Sequence, residues 1–198
     1  AEGDKDYAGL LDKMVQMKAA LSVPVIAKET GCGIAAEQYR LLLDAGFRHF
    51  DCAGTGGTNF PAIEAARRGV TLRDEFASWG VPTCWSLMDA QAVLPQDAVL
   101  LGSGGVQNAA DAVRVLALGA DAVGITGVVL RLVVEQGVEA AVQYFQQLEE
   151  ELRCYLLLLG AQTPEQLRRV PLVVTGETKD FIACRGYELA KLCRARRG

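Results

Sequence analysis

The chain has 198 residues, 51% of them hydrophobic, and a formal net charge of −4. That length admits one large domain or two small ones with a sizeable core. The weak negative charge leaves no electrostatic footprint for nucleic acid, and the basic end at Arg194, Arg196 and Arg197 reads as a solvated helix terminus.

The first element is an amphipathic helix over 7–21, with Leu10, Leu11, Met14 and Met17 on one stripe. A β-rich run follows over 23–28, with Pro24 at its start, where a ladder bond can be spared. Residues 35–45 form a second helix, stopped by Gly46 in the C′ position. A second strand over 47–53 runs into the glycine- and threonine-rich stretch 54–58. A short helix over 61–68 is entered through Asn59, 74–80 is a charged loop carrying Trp79, and 83–93 is helical. The third strand covers 97–102 and turns at Ser103, Gly104 and Gly105. Asn108 caps a helix that Gly119 stops, and 121–125 is the fourth strand. From 128 the pattern is helical, interrupted at Gly137 and continuing to about 159. Thr163 and Pro164 start another short helix as cap and first residue. Residues 172–175 are extended, and 179–196 is helix broken near Gly186.

Short apolar strands separated by helices predict a parallel sheet of βα units. Right-handed crossovers leave a doubly wound sheet or part of a (β/α)8 barrel. The polar or glycine-rich turns after every strand favour the barrel, and no G-x-G-x-x-G follows an early strand. No low-complexity linker divides the chain, so 1–198 is expected to be a single domain. The six cysteines, at 32, 52, 84, 154, 184 and 193, include no C-x-x-C pair, and His49 is the only histidine. Zinc is therefore disfavoured, and free thiols in a reducing cytoplasm are expected. No run of about 18 apolar residues asks for a membrane. The chain opens at Ala1 rather than methionine, which raises the expectation of a fragment.

Chemistry is expected at the turns. Gly104-Gly105 and Thr126-Gly127 each follow a strand and precede a helix, the arrangement that gathers backbone amides on an anion. In (β/α)8 barrels the turns after the last two strands often form a phosphate site. Gly54 to Thr58 adds a third such turn. Lys28 ends an apolar strand, where its charge is costly unless it is paired or used to stabilise a developing negative charge. Glu64 is a candidate for the same mouth. His49 lies inside a strand and reads as a wall residue rather than a base.

The strings VPVIAKETGCG, FDCAGTGGTNFPAIEAARR, WGVPT and SGGVQNAADAVRVLALGADAVGIT, with LLLLGAQTPEQLRRVPLVVTGET and the opening Glu2 to Tyr7, resemble the FMN-dependent type 2 isopentenyl-diphosphate delta-isomerases. No single glycine motif is specific; the ordered set is. The resemblance implies a (β/α)8 barrel interconverting isopentenyl and dimethylallyl diphosphate with reduced FMN, NADPH as its reductant and Mg²⁺ on the diphosphate. It implies homo-oligomers and no net redox change. Lys28 would favour the anionic reduced flavin, Glu64 would stand on the substrate side, and Thr58, Gly104, Gly105, Thr126 and Gly127 would hold FMN. Ala53 stands where the family has serine, and Gln107 where it has arginine. The chain corresponds to strands five to eight with the C-terminal helices. The Mg²⁺ ligand would lie upstream of residue 1. An FMN-dependent barrel oxidoreductase and an inactive FMN- or phosphate-binding remnant are the alternative readings.

Overall fold

Each strand is shorter than the apolar run that predicts it, for reasons local to its ends. The computed structural model describes residues 6–190; Glu2, Cys193 and the basic end at 194–197 lie outside the described residues. Strand β1 is Ile26–Lys28, β2 His49–Asp51, β3 Val99–Ser103 and β4 Ala122–Gly124. At 23–25, Pro24 has no N–H to give a ladder. The Phe47 amide donates to the Leu42 carbonyl at 3.0 Å, and Gly46 to Leu43 at 2.9 Å, so the helix terminus consumes what the sequence assigns to the strand. Ala98 donates to Pro95, which delays β3.

The four strands form one parallel sheet in the order β1-β2-β3-β4. Helices alternate with them: α1 Leu10–Ala20, α2 Ala36–Asp44, α3 Phe60–Arg67, α4 Asp74–Ala77, α5 Thr83–Val93, α6 Ala109–Ala117, α7 Gly127–Gln136, α8 Val138–Leu158 and α9 Gly176–Cys184. Helix α4 corrects the expected loop at 74–80: Asp74 and Glu75 occupy its first turn, where acidic side chains complement the helix dipole. The expected Asn59 and Asn108 caps form, accepting from the Ala62 and Asp111 amides at 2.9 Å each. Thr163 makes no side-chain cap, and Pro164–Arg169 is a 3-10 helix. Residues 172–175 join no ladder, and Val173 is 92% exposed.

Register decides which face is covered. Ala27 pairs with Phe50 and Phe50 with Leu100; all three are buried. Tyr39 of α2, Leu87 and Ala90 of α5, and Ala112 and Val115 of α6 join them in one core. Burying a side chain such as Phe50 contributes roughly 1.5–3 kcal/mol. The opposite face carries Ile26, His49 and Val99 in one row, and Lys28, Asp51, Leu101 and Ala122 in the next. Ile26 is 47% exposed, and Ala122 is exposed as well. The α1 stripe is only half used, with Leu10 and Met17 exposed.

A buried carboxylate fastens the C-terminal segment. Asp89 on α5 is fully buried. It accepts from the Ala36 amide at the start of α2 (2.9 Å), from Arg185 (2.9 Å) and from the Tyr187 hydroxyl (2.6 Å). Arg185 also grips Glu37 with both terminal nitrogens.

Candidate functional site

Parallel strands deliver all their carboxyl ends to one edge of a sheet, so the four following loops meet there. They enclose a cavity of about 500 Å³, within the range of small-ligand sites. Lys28, Ala53, Thr58, Gly104, Gly105, Thr126 and Gly127 all line it. Glu64 does not: its carboxylate lies 3.7 Å from Arg67 on the same helix, and its neighbour Ile63 takes the cavity wall instead.

The glycine run after β2 is required first of all by another loop. Gly104 has φ +104° and Gly105 φ +81°. A Cβ on Gly105 would stand 2.5 Å from the Gly56 carbonyl oxygen, and one on Gly57 would stand 2.6 Å from the Gly105 amide nitrogen. The loops after β2 and β3 thus pack backbone on backbone. Thr83 at the start of α5 pins them, its hydroxyl donating to the Gly104 carbonyl at 2.7 Å. Gly127 differs. A Cβ there would meet nothing within 4 Å, and the residue opens α7 facing the cavity.

The acids near this edge are engaged with backbone. Glu29 accepts from the Gly31 and Cys32 amides at 2.7 and 2.5 Å. Asp51 accepts from the Ser103 hydroxyl at 2.5 Å and the Ala53 amide at 3.2 Å. Asp111 accepts from the Gln107 amide at 3.2 Å. Among the described residues no Asp or Glu lines the cavity, and the charged ones that do are Lys28 and Arg131. Lys28 donates to the Glu29 carbonyl at 2.8 Å and lies 3.6 Å from Asp51. Among the described residues, the amides of Gly104, Gly105 and Gly127 donate to no protein acceptor. Thr126 makes no side-chain cap to α7. The rim therefore offers donors and positive charge, the chemistry of an anion site.

The rim thiols are not poised as nucleophiles. Burial pushes the Cys52 thiol up, and burial with the nearby Glu29 carboxylate does the same to Cys32, so both favour the neutral thiol. His49 does not line the cavity. Among the described residues no cluster of three His, Cys, Asp or Glu is placed to hold a metal, and no helix is long and apolar enough to cross a membrane.

Sequence reasoning missed Asp51, Ser103 and Arg131. Arg131 had a legible signal: it lies four residues after Gly127, one turn along the helix that this glycine opens. Asp51 and Ser103 are the last residues of their strands, and only the register of neighbouring strands joins them to Lys28.

The FMN-dependent dehydrogenase family matches residues 78–173. An isopentenyl-diphosphate delta-isomerase of Geobacillus sp. (strain WCH70) is 43% identical over 94% of this chain and 53% of its own. That of Methanopyrus kandleri is 36% identical over 97% of this chain and 53% of its own. A solved mandelate oxidase superposes with a TM-score of 0.65 at 22% identity, over 84% of this chain and 44% of that one, a likeness of fold. The fold shared with it is a parallel α/β sheet with four parallel strands among the described residues. The chain spans about half the length of the curated relatives it matches, and over that span it is homologous to proteins named isopentenyl-diphosphate delta-isomerase.

Proposed function

We propose that this chain is the flavin-phosphate half of an FMN-dependent isomerase that converts isopentenyl diphosphate to dimethylallyl diphosphate. In this reading residues 1–198 are one domain, strands five to eight of a (β/α)8 barrel with the C-terminal helices. The face bearing exposed Ile26 and partly buried Val99 and Leu101, with β1 and β4 as open edges among the described residues, supports a sheet that continues into further strands. The observation that carries the function is a cavity that, among the described residues, is lined by two cations, no carboxylate and a row of unspent amides.

The residues present fit FMN. Gly104, Gly105, Thr58, Thr126 and Gly127 would hold its phosphate and ribityl chain, with Arg131 supplying the positive charge that Gln107 does not. When bound, the reduced flavin supplies the acid–base chemistry that moves a proton between allylic carbons, without net redox change. Lys28 holds positive charge at the strand end, where charge on a cofactor develops. Phe60, Ile63 and Val128 add apolar wall that keeps water off it. Ala53 contributes no hydroxyl. Glu64, engaged with Arg67, is the substrate-side carboxylate in this reading only after leaving that pair. NADPH would keep the flavin reduced. Mg²⁺ would accompany the diphosphate, and the described residues offer no site for it. A cytoplasmic homo-oligomer completes the proposal.

Anaerobic incubation with FMN, NADPH, Mg²⁺ and isopentenyl diphosphate tests it. Dimethylallyl diphosphate accumulates while NADPH stays constant after the flavin is first reduced. NADPH consumed in step with product would make the protein an oxidoreductase. Flavin bound without any product would make it a binding remnant.

A further inference from the structure

We propose that Asp51 is the positioning residue that aims the Lys28 ammonium at the cavity, with Ser103 and the Ala53 amide fixing the carboxylate that does so. The inference rests on the flavin reading above and extends it to residues that do not touch the ligand.

Three neighbouring strands end in this chain of contacts. Lys28 and Asp51 are paired in register on β1 and β2, and Ser103 ends β3. Asp51 is 8% exposed and does not line the cavity, whereas Lys28 and Ser103 do. Its two oxygens are used differently. Oδ1 accepts from the Ser103 hydroxyl at 2.5 Å and from the Ala53 amide at 3.2 Å. Oδ2 faces the Lys28 ammonium at 3.6 Å. The carboxylate is thus bolted from one side and presents its other oxygen to the lysine. Ala53 reaches Asp51 with φ +34°, the one non-glycine residue in the left-handed region among those described. Such strain persists where surrounding structure enforces it. Lys28 is held from two sides: its ammonium donates to the Glu29 carbonyl at 2.8 Å and faces Asp51 at 3.6 Å, while its side chain is 52% exposed on a flexible four-carbon stem.

A carboxylate beside a lysine can act in two ways, and they have opposite signs. As a neutralising charge, Asp51 would weaken the field of Lys28 in the cavity, and its removal would strengthen it. As a restraint, Asp51 keeps the ammonium from swinging into water, and its removal would weaken that field. The bolted Oδ1 favours restraint, because a diffuse counter-charge needs no fixed plane.

The test is the reduction midpoint of bound FMN in the parent protein, Lys28→Met, Asp51→Asn, Ser103→Ala and the Lys28→Met/Asp51→Asn double variant. Lys28→Met makes the flavin harder to reduce. Asp51→Asn is expected to move the midpoint in that same direction, with no further change in the double variant and a smaller shift in Ser103→Ala. A midpoint that is unmoved or moves the opposite way in Asp51→Asn overturns the proposal. A second measurement uses flavin-free protein: acylation of the Lys28 amine by acetic anhydride, read by mass spectrometry against exposed Lys13. Freeing the ammonium raises its labelling about threefold in Asp51→Asn, the scale of losing one modest ion pair. Ser103→Ala gives a smaller rise and serves alone where circular dichroism shows Asp51→Asn unfolded. Unchanged Lys28 labelling overturns the proposal whether or not FMN binds, whereas failure of the parent to bind FMN sinks only the flavin reading.

Discussion

Replacing Gly104 and Gly127 separately by alanine distinguishes two glycines that the sequence presents as equivalent. Gly104 sits at φ +104°, a conformation that costs an L-residue about 1–3 kcal/mol. Its new Cβ would lie against the Gly54 carbonyl and 2.6 Å from the Gly54 nitrogen. Both are backbone atoms, so no side chain can swing aside. Relief requires parting the loops after β2 and β3, which strains the bond from the Gly54 amide to Ser103 (3.0 Å) and that from Thr83 to Gly104 (2.7 Å), each worth about 1 kcal/mol net. The expected loss is about 3–5 kcal/mol, a large part of a domain's stability. At a urea dependence of about 2 kcal/mol per molar, the unfolding midpoint falls by about 2 M. Gly127 has open space around its Cβ position and no left-handed φ. Gly127→Ala should keep or gain up to about 1 kcal/mol, as glycine-to-alanine changes in helices do, while weakening FMN binding if the phosphate rests on the start of α7. Urea unfolding followed by circular dichroism reads the first effect and flavin fluorescence quenching the second. Gly104→Ala within about 0.5 kcal/mol of the parent, the range of ordinary surface substitutions, would refute the close-approach argument.

Three further outcomes concern the fastening of the C-terminal segment. Asp89→Ala should destabilise by about 3–5 kcal/mol in urea unfolding, because it leaves the buried Ala36 amide and the Tyr187 hydroxyl unmatched and takes from Arg185 the carboxylate it shares with Glu37. The Arg185 guanidinium holds the Glu37 carboxyl down to about 2. Stability from that pair is present above the unfolded value near 4.5 and is lost as pH falls toward about 2, so Glu37→Gln should flatten thermal melting across that window. Burial, with the Asp89 hydrogen bond, raises the Tyr187 hydroxyl to about 12. Its contribution is present below about 10 and lost as pH rises to about 12, a loss that Tyr187→Phe should abolish in alkaline melts.

The parts of this fold legible in the sequence were those decided within a few residues. Asn59 and Asn108 announce their caps because the cap acts on an amide three positions away, and Gly46 announces the end of α2 for the same reason. Strand ends were less legible. Phe47 is apolar enough for a strand, yet its amide belongs to the preceding helix terminus. The glycine-rich turns were found, but the reason for them was only half seen. Gly57 and Gly105 make room for one another, and that contact joins loops separated by nearly fifty residues. Asp89 shows the limit most plainly: nothing in its neighbourhood names Ala36, Arg185 or Tyr187 as partners. Glu64 shows the converse. Its sequence place beside the glycine turn suggested the cavity, but helical phase gives that direction to Ile63 and leaves Glu64 within reach of Arg67.

The net charge of the chain and the charge of its cavity have opposite signs, and the difference has a structural cause. A chain carrying −4 repels a phosphate at long range, but at physiological salt that repulsion is screened beyond about 8 Å. Inside the cavity what counts is which groups remain uncommitted. Glu29, Asp51 and Asp111 each satisfy backbone or hydroxyl donors that shape the loops. In doing so they stay out of the cavity lining, whereas Lys28 and Arg131 bring positive charge to it and the amides of Gly104, Gly105 and Gly127 remain without a protein acceptor among the described residues. The same carboxylates that make the turns rigid therefore leave the cavity positive. Rigid donors need little reorganisation when an anion arrives, and donors already fixed in a low-dielectric wall act more strongly than mobile ones in water. The positive character of this edge follows from how the loops are held, and the overall composition of the chain does not report it.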